Sequence, residues 1–323
     1  MNIAINGFGR IGRLALRIIL EKHPDLKVVL INDLMDEAIR KHLFVFDSTY
    51  GTYDNPHAFD GVTMTSEKDP SKLPHKELKV DVVLECTGRF TKRADAALHV
   101  AAGARKVILS APAKDEVDGT FVIGVNHKTY DPATMHIISN ASCTTNSLAP
   151  VVKVLDEAFG IERGLMTTIH SYTNDQVILD FPHKDPRRAR SAGLNLIPTT
   201  TGAAKAVGLV LPHLKGKLNG ISVRVPTPTV SLTDLTVVLK KETTAEEINA
   251  AFQKAESGSL KGILGLESRP LVSMDFKGDD RSSIVDASST QVIDGTLAKV
   301  FAWYDNEWGY SNRLVELAVV AGS

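Results

Sequence analysis

The chain has 323 residues, 43% of them hydrophobic and 23% charged, enough for about two domains that each bury a core. Lysine plus arginine number 37 against 38 aspartate plus glutamate, and a net charge of −1 argues against a dedicated nucleic-acid binder. No apolar run reaches the ~18–20 residues of a membrane span, and the opening MNIAINGFGR has neither the basic nor the apolar stretch of a secretory signal.

The first 110 residues alternate strand-like and helix-like segments. Asn2–Asn6 is a short apolar run that ends at a glycine, and Leu14, Ile18 and Ile19 space helically over 10–22. Val28–Ile31 is a second apolar run, followed later by Val80–Glu85, a helical Arg93–Ala102, and Lys106–Leu109. Continuous apolar strands between helices predict a parallel sheet covered on both faces, hence a doubly wound α/β domain over 1–142. After a helical stretch at 144–158 the pattern changes. Strands are expected at 218–227, 230–240, 270–275, 282–287, 290–294 and 296–304, with helices near 203–210 and 244–257. That is an α+β domain over 143–306, built on a mostly antiparallel or mixed sheet. Glu307–Ala321 reads as an amphipathic helix, expected to pack back on the first domain. Between these, residues 172–200 hold His183, Lys184, Arg187, Arg188 and Arg190 among three prolines, with little periodicity. A loop of that length inside a compact enzyme usually serves function.

Gly7-Phe8-Gly9-Arg10-Ile11-Gly12 follows the first strand and opens the first helix. Gly7 permits the tight turn, Gly9 a close approach to a pyrophosphate, and Gly12 close packing of helix on sheet. The positive helix N-terminus then faces the phosphates. Asp33, about twenty positions on, ends the next strand and would accept bonds from ribose hydroxyls. A carboxylate there repels a 2′-phosphate, so NAD is expected over NADP.

The two cysteines, Cys86 and Cys143, are too few for a disulfide framework, and no Cys/His spacing calls for a metal. A reducing compartment, the cytoplasm, is the simplest expectation. Ser142 is a good N-cap that would put Cys143 at the first helical position, where the helix terminus lowers a thiol's pKa. His170 ends the apolar stretch Leu165–Ile169 and could lie beside Cys143 as a general base. By themselves the two residues fit a buried cysteine and a core histidine equally well.

The chain resembles the phosphorylating glyceraldehyde-3-phosphate dehydrogenases along nearly its whole length. The resemblance rests on INGFGRIGR at 5–13, FDSTYG at 46–51, ECTGRF at 85–90, SAPAKD at 110–115 and SNASCTTN at 139–146. It continues in HSYTNDQ at 170–176, PTTTGAAKAVG at 198–208, VRVPTP at 223–228 and WYDNEWGYSNR at 303–313. It implies a Rossmann-type NAD domain and a catalytic domain, assembled as a cytoplasmic homotetramer that acts on glyceraldehyde 3-phosphate and inorganic phosphate. Cys143 then stands for the nucleophile and His170 for the base. Ser142, Thr144, Thr173, Arg188, Thr201, Gly202 and Arg224 stand for substrate or phosphate contacts. Gly7, Gly9, Arg10, Ile11, Gly12, Asp33, Lys68, Thr87 and Ser110 stand for cofactor contacts, with Asn306 on the nicotinamide carboxamide and Tyr310 nearby. Leu34 and Pro182 match NAD-preferring members.

Three departures from the family pattern stand out. Ser147 replaces a frequent second cysteine, Lys68 stands where many members carry an adenine-side arginine, and the segment between Gly51 and Glu67 is short, as for a trimmed surface hairpin. The nearest alternative is a related enzyme of erythrose 4-phosphate, whose members depart at Thr173 and the TTTG stretch that this chain keeps. A secondary nucleic-acid or adhesion role would rest on HKDPRRAR at 183–190.

Overall fold

The computed structural model describes residues 1–323, which divide into two compact units, 1–142 with 311–323, and 143–310.

The first unit is a parallel sheet with helices. Its elements are β1 (Asn2–Asn6), α1 (Arg10–Lys22), β2 (Lys27–Asn32), α2 (Glu37–Val45), β3 (Phe46–Asp47), β4 (Gly51–Thr52) and β5 (Thr63–Thr65). They continue with β6 (Val82–Glu85), α3 (Arg93–Ala101), β7 (Lys106–Leu109), β8 (Gly119–Thr120) and β9 (Ile137–Ser139). The sheet runs β5-β2-β1-β6-β7-β9-β8, every pair parallel. Ile3, Ile5, Val82, Val83, Leu84, Val107 and Ile108 are fully buried, as two-sided burial requires. The chain winds outward from β1 through β2 to β5, then returns to β6 on the other side of β1. This order reversal leaves a crevice beyond the carboxyl ends of β1 and β6, where ligands of such sheets bind. α2, capped by Asp36 on the Ala38 amide, is a helix the sequence reading did not anticipate. The shortened segment after Gly51 leaves only a two-residue ribbon, β3 with β4, beside the intact sheet.

The second unit begins with α4 (Cys143–Phe159), β10 (Ile161–Ser171), β11 (Ile197–Thr200), α5 (Ala203–Val210), β12 (Leu218–Val225), β13 (Ser231–Leu239) and α6 (Ala245–Ser257). β14 (Leu264–Glu267), β15 (Ser283–Asp286), β16 (Gln291–Ile293), β17 (Leu297–Tyr304) and α7 (Trp308–Gly322) complete the chain, with α7 running on into residues of the first unit. The eight-stranded sheet is mixed, ordered β11-β12-β10-β13-β17-β15-β14 with β16 on β17. β10 and β12 are parallel, as are β14 and β15, and the other pairs are antiparallel. Strict alternation of buried and half-buried residues along β13 marks a sheet with one face in the core. α4 packs on that core against α5, α6, β13, β15 and β17. The strand expected at 270–275 is absent. A single 3₁₀ turn, Ser273–Phe276, takes its place, because Asp275 accepts the Val272 amide and closes the chain into a turn. The loop expected over 172–200 ends instead in a strand, since Ile197–Thr200 pair with Ile221–Arg224.

Candidate active site

In the first unit, a cavity of about 590 Å³ opens at the β1/β6 crevice, lined by Asn6, Gly7, Gly9, Asn32, Asp33, Leu34, Glu67, Lys68, Cys86, Thr87, Arg89 and Phe90. Gly7 has φ +93°, and a Cβ there would fall 2.6 Å from the Thr87 amide nitrogen, so only glycine closes this turn. Gly9 faces open space, which leaves room for a phosphate against the backbone. A Cβ on Gly12 would drive into the Gly7 carbonyl and the Ile5 side chain, so this glycine sets how closely α1 lies on β1. Asp33 accepts from the Phe8 amide at 2.6 Å through Oδ2 and from the Met35 amide at 2.8 Å through Oδ1. The carboxylate is thereby fixed at the end of β2, with a further lone pair on each oxygen. The glycine cradle, the positive end of α1 and a fixed carboxylate fit a dinucleotide.

The structure separates the cofactor residues expected from sequence. Gly7, Gly9, Asp33, Lys68 and Thr87 line the cavity, whereas Arg10, Ile11, Gly12 and Ser110 do not. Arg10 turns to Asp47 and lies over the Tyr50 ring at 5.7 Å. Ser110 takes up the Cys86 thiol, which burial pushes up to about 12.

The second unit holds the other cysteine with its base. Ala141, at φ +55°, makes a left-handed turn just before α4, a strained position of the kind that collects at functional sites. Half-buried Ser142 follows, and Cys143 is the first residue of the helix. Its sulfur lies 3.4 Å from His170 Nε2 and 4.0 Å from Thr144 Oγ1. The His170 ring is fixed from behind. Nδ1 is 2.7 Å from the Ser171 carbonyl, so the proton sits on Nδ1 and Nε2 turns a lone pair to the thiol. Sheet register supplies the next group, because His170 on β10 is paired with Arg224 on β12. Arg224 Nη1 donates to the Ser171 carbonyl at 3.1 Å and to Thr173 Oγ1 at 3.3 Å, and lies 3.1 Å from His170 Nδ1.

Burial, then the Arg224 and Arg188 cations, push His170 down to about 3, so the imidazole is neutral and its Nε2 lone pair is free to face the thiol. Burial also pushes the Cys143 thiol up, against the lowering pull of Arg224 and of hydrogen bonds at the helix start. This corrects the expectation that the helix terminus would dominate. The sulfur loses more by desolvation than it gains from the cation and the hydrogen bonds at the helix start, and a neutral His170 adds no positive charge.

Thr144 does not face outward. Its hydroxyl and that of Thr168 each lie 2.9 Å from the Tyr304 hydroxyl, and Tyr304 is fully buried with its ring edge-on to His170. Tyr304 and Thr168, not singled out in the sequence, thus brace both the nucleophile's helix and the base's strand. Ser147, one turn along α4, is buried among Thr233 and Ser283 hydroxyls at 3.5 and 3.4 Å. Arg188 binds Asp175 and donates to Thr199 Oγ1 at 3.1 Å, which ties the central loop to β11. Thr201 accepts the Ala203 amide at 3.1 Å and Gly202 caps α5 beside open space. Asn306 is buried, its Oδ1 accepting from Ser231 at 2.9 Å, and Tyr310 is buried in the first turn of α7. A separate hollow of about 720 Å³ on this unit, between Arg163, Lys217 and Lys299, contains neither Cys143 nor His170.

Residues 1–93 match the family model for the glyceraldehyde 3-phosphate dehydrogenase NAD binding domain, and residues 142–306 match that for the C-terminal domain of the same enzymes. The chain belongs to the glyceraldehyde-3-phosphate dehydrogenase family. NAD is therefore the cofactor of the first unit. The glyceraldehyde-3-phosphate dehydrogenase of Geobacillus stearothermophilus is 57% identical over 100% of this chain and 98% of its own length. Glyceraldehyde-3-phosphate dehydrogenase 1 of Bacillus subtilis is 57% identical over 98% of this chain and 97% of its own. Glyceraldehyde-3-phosphate dehydrogenase 2 of Streptomyces avermitilis is 55% identical over 100% and 99%.

Proposed function

We propose that Cys143, His170 and Arg224 carry out the NAD-dependent oxidative phosphorylation of D-glyceraldehyde 3-phosphate to 1,3-bisphosphoglycerate. The observation that supports this most is the Cys143 sulfur 3.4 Å from a neutral His170 nitrogen, with a cation alongside. As the sulfur attacks the aldehyde carbon, His170 Nε2 takes the thiol proton and hands it to the carbonyl oxygen, and a thiohemiacetal forms. Amides at the start of α4 steady its oxygen. His170 then accepts the hydroxyl proton as the carbon loses hydride. Bound NAD supplies the hydride acceptor. The product is a thioester on Cys143 that retains the oxidation energy. Inorganic phosphate attacks the thioester carbon, the sulfur leaves, and the acyl phosphate is released.

Two phosphates must be held, one on the substrate and one attacking. Arg224 with Thr173, and Thr201 with Gly202 at the start of α5, are groups suited to them, with Arg188 adding positive field. Ser142 and Thr144 flank the nucleophile. Gly7, Gly9, Asp33, Lys68 and Thr87 hold the dinucleotide, Gly12 sets how closely α1 lies under it, and Asn306 with Tyr310 takes the nicotinamide end. Residues 1–142 with the last helix form the NAD domain and 143–306 the catalytic domain. The working state is a cytoplasmic homotetramer.

A spectrophotometric assay with glyceraldehyde 3-phosphate tests this by omitting phosphate, then NAD, then exchanging NAD for NADP. NADH formation that ignores phosphate, or that runs faster on erythrose 4-phosphate, overturns it.

A further inference from the structure

Beneath the cavity of the first unit runs a line of buried polar groups that the chemistry above does not use. Glu85, the last residue of β6, is fully buried. Its Oε1 accepts from both the amide, at 2.8 Å, and the hydroxyl of Thr87. Its Oε2 accepts from Asn6 Nδ2 and faces His99 Nε2 at 3.2 Å. His99 Nδ1 in turn lies 2.9 Å from His75 Nε2, and neither histidine has any exposed surface. His99 also meets the Phe90 ring edge-on at 6.4 Å, and Phe90 and Thr87 are both walls of the cavity.

We propose that His99, locked in one tautomer by His75, is a positioning residue for NAD that acts through Glu85 on Thr87. The inference rests on the assignment of this cavity to NAD. Two imidazoles joined by one N–H···N bond have two possible polarities. Burial and the neighbouring His99 push His75 down to about 3, so His75 is neutral with a single ring proton. Its Nδ1 is buried without a partner. A lone pair is cheaper to bury unpaired than an N–H, which could reach no acceptor there, so the proton belongs on Nε2 and points at His99. His99 Nδ1 must then accept, its proton must sit on Nε2, and Nε2–H donates to the Glu85 carboxylate. The reverse polarity would let Nε2 accept from the Asn6 amide at a longer 3.4 Å, but would set its lone pair against a carboxylate oxygen at 3.2 Å. With this donor in place, Glu85 is anchored from behind and holds Thr87 by two bonds at the edge of the Gly7 turn. A phenylalanine at 75 fills the space but frees His99 to carry its proton on either nitrogen.

The test measures NAD Kd by calorimetry and steady-state constants for His99→Leu, His99→Gln, His75→Phe and Thr87→Val, with ¹⁵N spectra of the ring nitrogens. Loss of a charge-assisted hydrogen bond behind Glu85 predicts about a tenfold rise in NAD Kd for H99L, with kcat and the aldehyde KM unchanged. H75F is expected to weaken NAD by about threefold and to mix the His99 tautomers. H99Q donates an amide N–H without needing a tautomer, so it retains near-parental affinity and makes H75F silent in the double variant. A parental His99 protonated on Nδ1, or H99L and H75F with unchanged NAD affinity while T87V weakens it, overturns the inference alone. If H99L does not fold, H75F, H99Q and the ¹⁵N spectra still decide. If T87V too leaves NAD affinity unchanged, the assignment of the cavity fails first.

Discussion

Replacing Arg224 by glutamine removes the cation beside the base while leaving an amide that can still reach the Ser171 carbonyl. Arg224 Nη1 stands 3.1 Å from His170 Nδ1, and the substitution also removes its bond to Thr173 Oγ1 at 3.3 Å. Charge centres about 4–5 Å apart, at an effective permittivity of about 20, interact by about 3–4 kcal/mol. At 1.36 kcal/mol per unit that is about two to three pKa units. The sign follows from the charges. A cation opposes imidazolium formation, so its loss raises His170 from about 3 to about 5–6, still below neutrality because burial remains. The same cation favours the thiolate, so its loss pushes the Cys143 thiol further up. Neutral iodoacetamide reads the thiolate with no substrate phosphate to confuse the result. Its rate with Cys143 at pH 8 is expected to fall about tenfold in R224Q, while ¹⁵N titration of His170 moves upward. A His170 titration unchanged at about 3, with superimposed alkylation profiles, would refute the electrostatic account of this pair.

Cys143→Ser is expected to keep NAD binding by calorimetry and lose nearly all NADH formation, since a serine hydroxyl is a far weaker nucleophile here; substantial residual turnover would exclude the covalent route. His170→Asn removes the base 3.4 Å from the sulfur and should lower kcat by about 10²–10⁴-fold with little change in NAD Kd. Asp33→Ala takes away the carboxylate at the end of β2, so the NAD over NADP ratio of kcat/KM should fall. Equal ratios would show that the ribose lies elsewhere. Gly7→Ala forces a Cβ toward the Thr87 amide at a positive φ and should cost about 1–3 kcal/mol in chemical denaturation while weakening NAD.

Parts of this molecule follow from the chain alone because they rest on local rules. The glycine turn of residues 7–12 is legible because each glycine answers a backbone demand, and Asp33 because it ends an apolar run at the expected interval. Helices at 143–159, 203–210 and 245–257 carry their own periodicity. Segment 270–275 is ambiguous in sequence because an apolar dipeptide cannot tell a strand from a 3₁₀ turn, and α2 carries little signal because its apolar face is short and partly exposed.

The relation between distant residues was decided by tertiary structure. Sequence places Cys143 at a helix start, but the balance between its hydrogen bonds and burial depends on what surrounds the sulfur, and burial dominates. Arg224 is beside His170 only because β10 and β12 pair in parallel register. Tyr304 braces Thr144 and Thr168 from a strand far along the chain. Asn6, Asn32 and Glu85 are each a polar residue ending an apolar strand. That is a visible signal, but its meaning emerged only when the sheet brought them together under one cavity. Backbone geometry is set within a few residues, whereas proton affinity and hydrogen-bond partnership are set by whatever the fold packs around a group.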